Sequence, residues 1–334
     1  MRLVLASDLH LTDRPSDEYR WTLFSQLRDL CQDRMTTLWI LGDLTESKDY
    51  HSSRLVNRIV TSLRNLRSQS KVNEIHILRG NHDGIDPDYP YFAFLNAIPW
   101  CSFHIHPKLV EDGEHRILLL PHTRDYKKDW VNLDWENAEL VFAHCTVKGA
   151  RSETGHTLEG IPSDFFAPCR GKLYCGDVHV PQVVGPAEYV GAPYPIRFGD
   201  THNCRVLLIE GRKTVSVPLR NIGKPIITIN STTQEKTLPP IGRGDQVKVR
   251  IVLGEEELGK WHELRRKMQA WCESKGATLS ACELQHREEG ITPKMAMKVA
   301  TLLSPAQAFN QYARKLEAPL RTLGKEFLDD DQIR

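Results

Sequence analysis

An α/β fold followed by a smaller α/β unit is what this sequence predicts, on three observations. Short apolar runs alternate with stretches of helical periodicity through roughly the first 220 residues. Several of those runs end directly in Asp, Asn or His. The texture then changes, because Asn221 to Gly244 is rich in Gly, Pro, Thr and Ser. Alternating strand and helix predicts a layered sheet with right-handed crossovers. Polar groups at strand ends predict a site at the carboxyl edge of that sheet.

Composition excludes whole classes. The chain has 334 residues, enough for two domains, with 40% hydrophobic and 26% charged residues, as in an ordinary globular protein. No run approaches the roughly 18 apolar residues of a membrane helix. Met1 to Ser7 turns polar too soon for a signal peptide, so a cytoplasmic chain is expected. Eight cysteines are scattered without a C-x-x-C pair and read as buried free thiols. A net charge of +1 neither demands nor excludes a polyanionic partner.

Arg2 to Ala6 is the first strand, ending in Ser7-Asp8-Leu9-His10. Asp8 and His10 are two apart, so in extended chain they share a face. Leu23, Phe24, Leu27, Leu30 and Cys31 fall on one face of a covering helix over Trp21 to Cys31. Thr37 to Leu41 is the next strand, ending in Gly42-Asp43-Leu44-Thr45-Glu46. Leu55, Ile59, Leu63 and Leu66 mark a second helix. Ile75 to Leu78 leads into Gly80-Asn81-His82-Asp83. Ile117 to Leu120, Glu139 to Ala143 and Leu173 to Cys175 are further strands; the second is followed by His144, the third by Gly176-Asp177-Val178-His179. Of fourteen histidines, His10, His82, His144 and His179 therefore follow apolar runs, while His122 reads as structural. Cys204 to Ile209 and Thr214 to Pro218 form a hairpin turning at Glu210-Gly211-Arg212. Beyond the boundary near 220, Val247, Val249, Ile251 and Leu253 alternate as a half-buried strand. A helix through Leu258, Trp261, Leu264, Met268 and Trp271 follows, then a partner strand over Thr278 to Leu284. From Thr292 the pattern is helical, with Phe309, Tyr312, Leu316, Leu320 and Leu323 on one stripe that Pro319 kinks.

Collected, the strand-end groups are Asp8, His10, Asp43, Asn81, His82, His144, Asp177 and His179. With His82 held aside, seven oxygen and nitrogen ligands suit two metal ions sharing a bridge, the rest of the coordination coming from water and substrate. Ligation without cysteine favours Mn²⁺ or Fe²⁺ over Zn²⁺ and Mg²⁺. Two such ions acidify a water and offset charge in an in-line displacement at phosphorus. Asp43, central in order and with two oxygens to offer, is the expected bridging carboxylate.

Asp8-Leu9-His10, Gly42-Asp43, Gly80-Asn81-His82-Asp83, His144 and Gly176-Asp177-Val178-His179 resemble the five ordered motifs of calcineurin-like metallophosphoesterases. Tyr189-Val190-Gly191-Ala192-Pro193-Tyr194, followed by Arg197-Phe198-Gly199-Asp200, is similar to the SbcD nuclease branch, in its bacterial or phage form. The resemblance implies a layered metallophosphoesterase β-sandwich flanked by helices, with a small α/β capping domain and a helical C-terminal tail. Residues 1–220 would form the nuclease domain, 221–290 the capping domain and 291–334 the tail. One metal would take Asp8, His10, Asp43 and His179, and the other Asp43, Asn81, His144 and Asp177. His82 would not ligate but would contact the phosphate and either stabilise the transition state or protonate the leaving oxygen. Two positions depart from the pattern: Asp177 stands where the family usually has histidine, and Glu46 where the branch often has one.

The function the resemblance implies is a Mn²⁺-dependent DNA nuclease, exonucleolytic on duplex ends and endonucleolytic on single strands, acting in DNA repair, recombination or replication. Its implied partners are DNA, an SbcC-type coiled-coil ATPase contacted by the C-terminal stripe, and a second copy in a homodimer. Cations at Arg124 to Lys128, Lys148 to Arg151 and Arg170 to Lys172 sit on loops between site strands, where backbone phosphates would be contacted. Two alternatives stand beside it. One is a phosphatase or cyclic-nucleotide phosphodiesterase using the same metals; the other is a scaffold subunit without chemistry, against which the near-complete ligand set argues.

Overall fold

The computed structural model describes residues 1–286, so the expected C-terminal stripe lies outside the described residues. The strands in chain order are β1 (Arg2–Ala6), β2 (Thr36–Ile40), β3 (Val72–Leu78), β4 (Cys101–His104), β5 (Lys108–Asp112), β6 (His115–Leu120), β7 (Leu140–His144) and β8 (Lys172–Gly176). They continue as β9 (Gln182–Val184), β10 (Ala187–Tyr189), β11 (Arg205–Glu210), β12 (Lys213–Pro218), β13 (Ile226–Asn230), β14 (Gln246–Leu253) and β15 (Thr278–His286). The α-helices are α1 (Thr22–Leu30), α2 (Ser53–Gln69), α3 (Tyr126–Asp129) and α4 (Trp261–Ser274).

The mixed α/β class is as expected, and so is the β-sandwich that the resemblance implies, with two six-stranded sheets. One runs β12-β11-β1-β2-β3-β4 and the other β5-β6-β7-β8-β10-β9. Within the first, β1 to β4 are mutually parallel; within the second, β6, β7, β8 and β10 are parallel. The two pack face to face. Leu3, Leu5, Trp39, Leu41 and Leu78 of the first share one core with Ile117, Leu119, Phe142 and Tyr174 of the second. The alternate residues face outward: Val4, Ala6, Leu38, Ile40, Ile75 and Ile77 meet Leu23, Leu27, Ile59 and Leu63 of α1 and α2. Strands apolar on both faces therefore read as continuous runs, as buried parallel strands do. Ser52 caps α2 by accepting from the Leu55 N–H at 3.0 Å.

The third sheet, β13-β14-β15, is parallel throughout. It buries Val247, Val249, Ile251 and Leu253 against Leu264, Met268 and Trp271 of α4, in a core drawn entirely from residues 227–277. Its strand β13 falls within the stretch that composition marks as a linker. The flanking Gly and Pro hid an Ile-Ile-Thr-Ile core, of which Ile227 and Ile229 are buried. All eight cysteines are free, six of them buried. No helix among the described residues is long and apolar enough to cross a membrane.

Candidate metal centre

Because β1, β2 and β3 run parallel and adjacent, their carboxyl ends deliver Asp8, Asp43 and Asn81 to one edge. In the second sheet β7 and β8 deliver His144 and Asp177 in the same way. The edges are stitched together. The His144 Nδ1–H donates across the sandwich to the Leu41 carbonyl at 2.6 Å, and the Asp177 N–H donates to Asp8 Oδ1 at 3.1 Å. This close approach fixes glycine in the second motif. Gly42 has φ +95°, and a Cβ there would lie 2.1 Å from His144 Nδ1.

The loops are strained where the ligands sit. Of the five non-glycine residues with positive φ among the described residues, four are Asp8, His10, Asp43 and Asp177. Each such conformation costs on the order of 1–3 kcal/mol and persists only where the surroundings over-determine it. Asp83 supplies part of that determination. Fully buried, it accepts from the N–H groups of Asp43 at 2.9 Å, Leu44 at 2.9 Å and Gly80 at 2.6 Å, locking the second motif to the third.

Asp43 lies between the two halves of the cluster. Its Oδ2 is 3.5 Å from His10 Nε2 and its Oδ1 is 3.4 Å from His144 Nε2, the disposition a bridging carboxylate needs. Ligand atoms of Asp8, His10 and His179, of Asp8, Asp43 and His144, and of His10, Asp43 and His82 each fall within 4.8 Å of one another. His82 is thus as close as the residues expected to ligate. Asp177 is looser: its Oδ1 is 3.8 Å from His144 Nε2, and its Oδ2 accepts from the Thr146 hydroxyl.

Three features show that these residues fit divalent cations. First, each imidazole turns its Nδ1 toward a carboxylate or carbonyl, which leaves Nε2 facing inward. His10 Nδ1 faces Glu46 at 3.2 Å, His179 Nδ1 faces Glu153 at 2.5 Å, and His144 and His82 donate to the carbonyls of Leu41 and Glu46. Carboxylate–histidine pairs of this kind orient metal-bound imidazoles. Second, the inward atoms are nitrogen and oxygen atoms able to ligate a metal, brought close together. His10 Nε2 and His179 Nε2 are 3.1 Å apart, and the Asn81 amide oxygen lies 3.1 Å from His144 Nε2. The same oxygen lies 2.9 and 3.0 Å from the Asp43 carboxylate, a crowding of acceptors that a cation resolves as well as an amide rotation does. Third, Asp8 Oδ2 is buried without a partner.

The electrostatics carry the same signature. Burial pushes the Asp43 carboxyl well up, with Asp83 and Asp8 adding to the rise and His144 opposing it. His144 is pulled down by burial, but Asp43, Asp177 and Asp8 outweigh that and lift it to about 9. Glu46 and Glu153 are each held down to about 2, first by hydrogen bonding to His10 and His179. Buried carboxylates that resist ionisation this strongly are groups whose charged form a bound cation would stabilise.

Sequence reading left Glu46 as a departure and gave Glu153 and Thr146 no role, although all three contact expected ligands. Only Asp83, inside the third motif, carried a local signal. One expectation fails: Arg170 to Lys172 are not near the site. Lys172 opens β8 while Asp177 follows its end, so the strand's ~3.3 Å rise per residue separates them by more than 10 Å. Lys172 instead donates to the Arg212 carbonyl and Thr214 hydroxyl, beside a cleft of about 630 Å³ at the opposite end.

Comparison with known proteins places this geometry. No curated protein matches the chain. Among solved structures, an archaeal phosphodiesterase aligns at 11% identity over 66% of this chain and 100% of its own, with a TM-score of 0.35. A protein of unknown function from Aquifex aeolicus aligns at 19% identity over 42% of this chain and 76% of its own, with a TM-score of 0.25. Residues 1–190 match the family model for the calcineurin-like phosphoesterases, over the span that contains all five ligand-bearing motifs. The chain belongs to the calcineurin-like phosphoesterase family.

Proposed function

We propose that this phosphoesterase is a Mn²⁺-dependent DNA nuclease of the SbcD type that hydrolyses phosphodiester bonds in repair, recombination or replication. The observation that carries the reading is where the branch-like segment runs. The Tyr194 hydroxyl donates to the Leu9 carbonyl, between Asp8 and His10. The Tyr189 hydroxyl donates to the Cys145 carbonyl at 3.1 Å and accepts from the Val147 N–H at 2.7 Å, just after His144. The Ala192 N–H donates to the His179 carbonyl at 2.8 Å. The Tyr-Val-Gly-Ala-Pro-Tyr string thus braces three of the ligand loops, which supports reading it as part of the same machinery.

Asp8, His10, Asp43 and His179 would hold one ion, and Asp43, Asn81, His144 and Asp177 the other, with Mn²⁺ ahead of Mg²⁺, Fe²⁺ and Zn²⁺. When bound, the ions supply a water of lowered pKa and positive charge against the phosphoryl oxygens. The protein's own part is positional. His82 gives its Nδ1–H to the Glu46 carbonyl at 2.6 Å, and its backbone N–H to Asp43 Oδ1 at 2.8 Å. That fixes the ring with Nε2 toward the cluster, where its protonated form donates to the leaving oxygen. DNA, an SbcC-type ATPase and a second copy are the partners proposed with this reading, and the cellular compartment proposed is the cytoplasm.

The test is digestion of end-labelled duplex DNA with Mn²⁺, Mg²⁺ or EDTA, beside His82→Ala. Cutting that requires Mn²⁺ and falls by a factor of at least ~100 in the variant supports the reading. DNA left intact, with and without an SbcC-type ATPase, contradicts it and turns attention to small phosphate esters.

A further inference from the structure

A second cleft opens along the same carboxyl edge, beyond His144. We propose that it is a phosphate subsite, holding the backbone phosphate next to the one cleaved; this rests on the nuclease reading. The cleft has a volume of about 380 Å³ and lies between the loops after β3 and β4 and the loop after β6. Arg79, His122, His106 and Lys128 line it, with Asp88 and Asp129.

Its floor is built for an anion. Arg79 is 7% exposed and its Nε has no partner, although Nη2 donates to the His122 carbonyl. His122 Nδ1 is also buried without a partner. The two residues are locked together, since the His122 N–H donates to the Arg79 carbonyl at 2.8 Å. Both lie beside the metal cluster: Arg79 immediately precedes Gly80-Asn81-His82, and the His122 and His144 ring centroids are 6.0 Å apart. The carboxylates sit on the exposed rim, where Asp129 is engaged by the Thr123 hydroxyl. An imidazole beside a buried guanidinium offers hydrogen-bond donors to phosphate oxygens, and the charge-assisted bonds of the guanidinium are the stronger kind.

A subsite for a second phosphate distinguishes a polynucleotide from a small phosphodiester, and the experiment uses that difference. Metal-stripped full chain is titrated with inorganic phosphate while the His122 ring is followed by ¹H–¹⁵N NMR. The expected result is a saturable shift at His122 whose affinity weakens at least ~3-fold in Lys128→Ala, a rim variant chosen because Lys128 is exposed. No shift at His122, or one undiminished in Lys128→Ala, overturns the subsite. In Mn²⁺-loaded protein, the ratio of kcat/KM for a tetranucleotide to that for bis(p-nitrophenyl) phosphate should fall about tenfold in the same variant, the loss of one charge-assisted hydrogen bond. An unchanged ratio also overturns the subsite. Wild-type protein that cleaves the small diester but no oligonucleotide contradicts the nuclease reading instead, while the phosphate titration still decides whether the cleft binds an anion.

Discussion

The two ends of the sandwich are formed by the same strands and are built on opposite principles. At the amino end, buried polar groups are answered. Arg2 donates to Thr36 Oγ1 at 3.1 Å and to the Leu30 carbonyl at 2.9 Å, and pairs with Asp33 at 3.0 Å. Asp112 accepts from Trp39 Nε1 at 2.7 Å and Thr37 Oγ1 at 3.1 Å. At the carboxyl end, the Asn81 amide oxygen lies against the Asp43 carboxylate, Asp8 Oδ2 has no partner and four non-glycine residues hold positive φ. The first arrangement stabilises the fold. The second opposes it until cations arrive, so the difference marks where function resides.

That contrast can be broken in several places. The largest effect should come from Asp83→Ala, which leaves three buried N–H groups without an acceptor and releases the Asp43 loop. A loss of roughly 3–5 kcal/mol is expected in urea denaturation; a loss under 1 kcal/mol would mean the loops hold themselves. Next come Glu46→Gln and Glu153→Gln, which weaken the carboxylate partners of His10 and His179. Calorimetric titration should show Mn²⁺ affinity falling about 10–100-fold, and unchanged affinity would mean that neither glutamate orients its imidazole.

Two variants of opposite sign test the comparison itself. Asp8→Asn removes a buried charge whose Oδ2 has no partner, so the metal-free protein should gain about 1 kcal/mol of stability. Arg2→Met at the other end should lose about 2 kcal/mol whether or not metal is present. A loss in both metal-free variants would erase the distinction. The smallest effect is on pH. Burial holds both His104 and His122 at about 3, below the ordinary ~6.5 of an unfolded chain. Unfolding then takes up protons, so their contribution is complete above about pH 6.5 and is lost as pH falls toward 3. His104→Gln should flatten that fall in the urea midpoint by up to one proton.

Much of this was legible in the sequence, for a physical reason. Parallel strands buried on both faces must be apolar throughout, so Asp8, Asp43, His144 and Asp177 stand out where the apolar runs stop. Periodicity does not say which sheet a strand joins, so the sandwich follows from the resemblance while the membership of each sheet does not. Short strands such as β9 and β10, three residues each, leave no period to read. Glu153 reaches His179 only through tertiary folding, as Glu46 reaches His10, and neither contact has a fixed spacing. The Arg170 to Lys172 cations were misplaced because adjacency to a site strand was read without its direction.

On the proposed reading the strand-end cluster would hold a pair of ions bridged by Asp43. The most direct test is a Mn²⁺ titration of metal-stripped full chain, followed by calorimetry and electron paramagnetic resonance, beside Asp43→Ala. The account predicts two ions per chain with a spin-coupled signal that the variant loses. One uncoupled ion, or none, in the wild-type chain would contradict it.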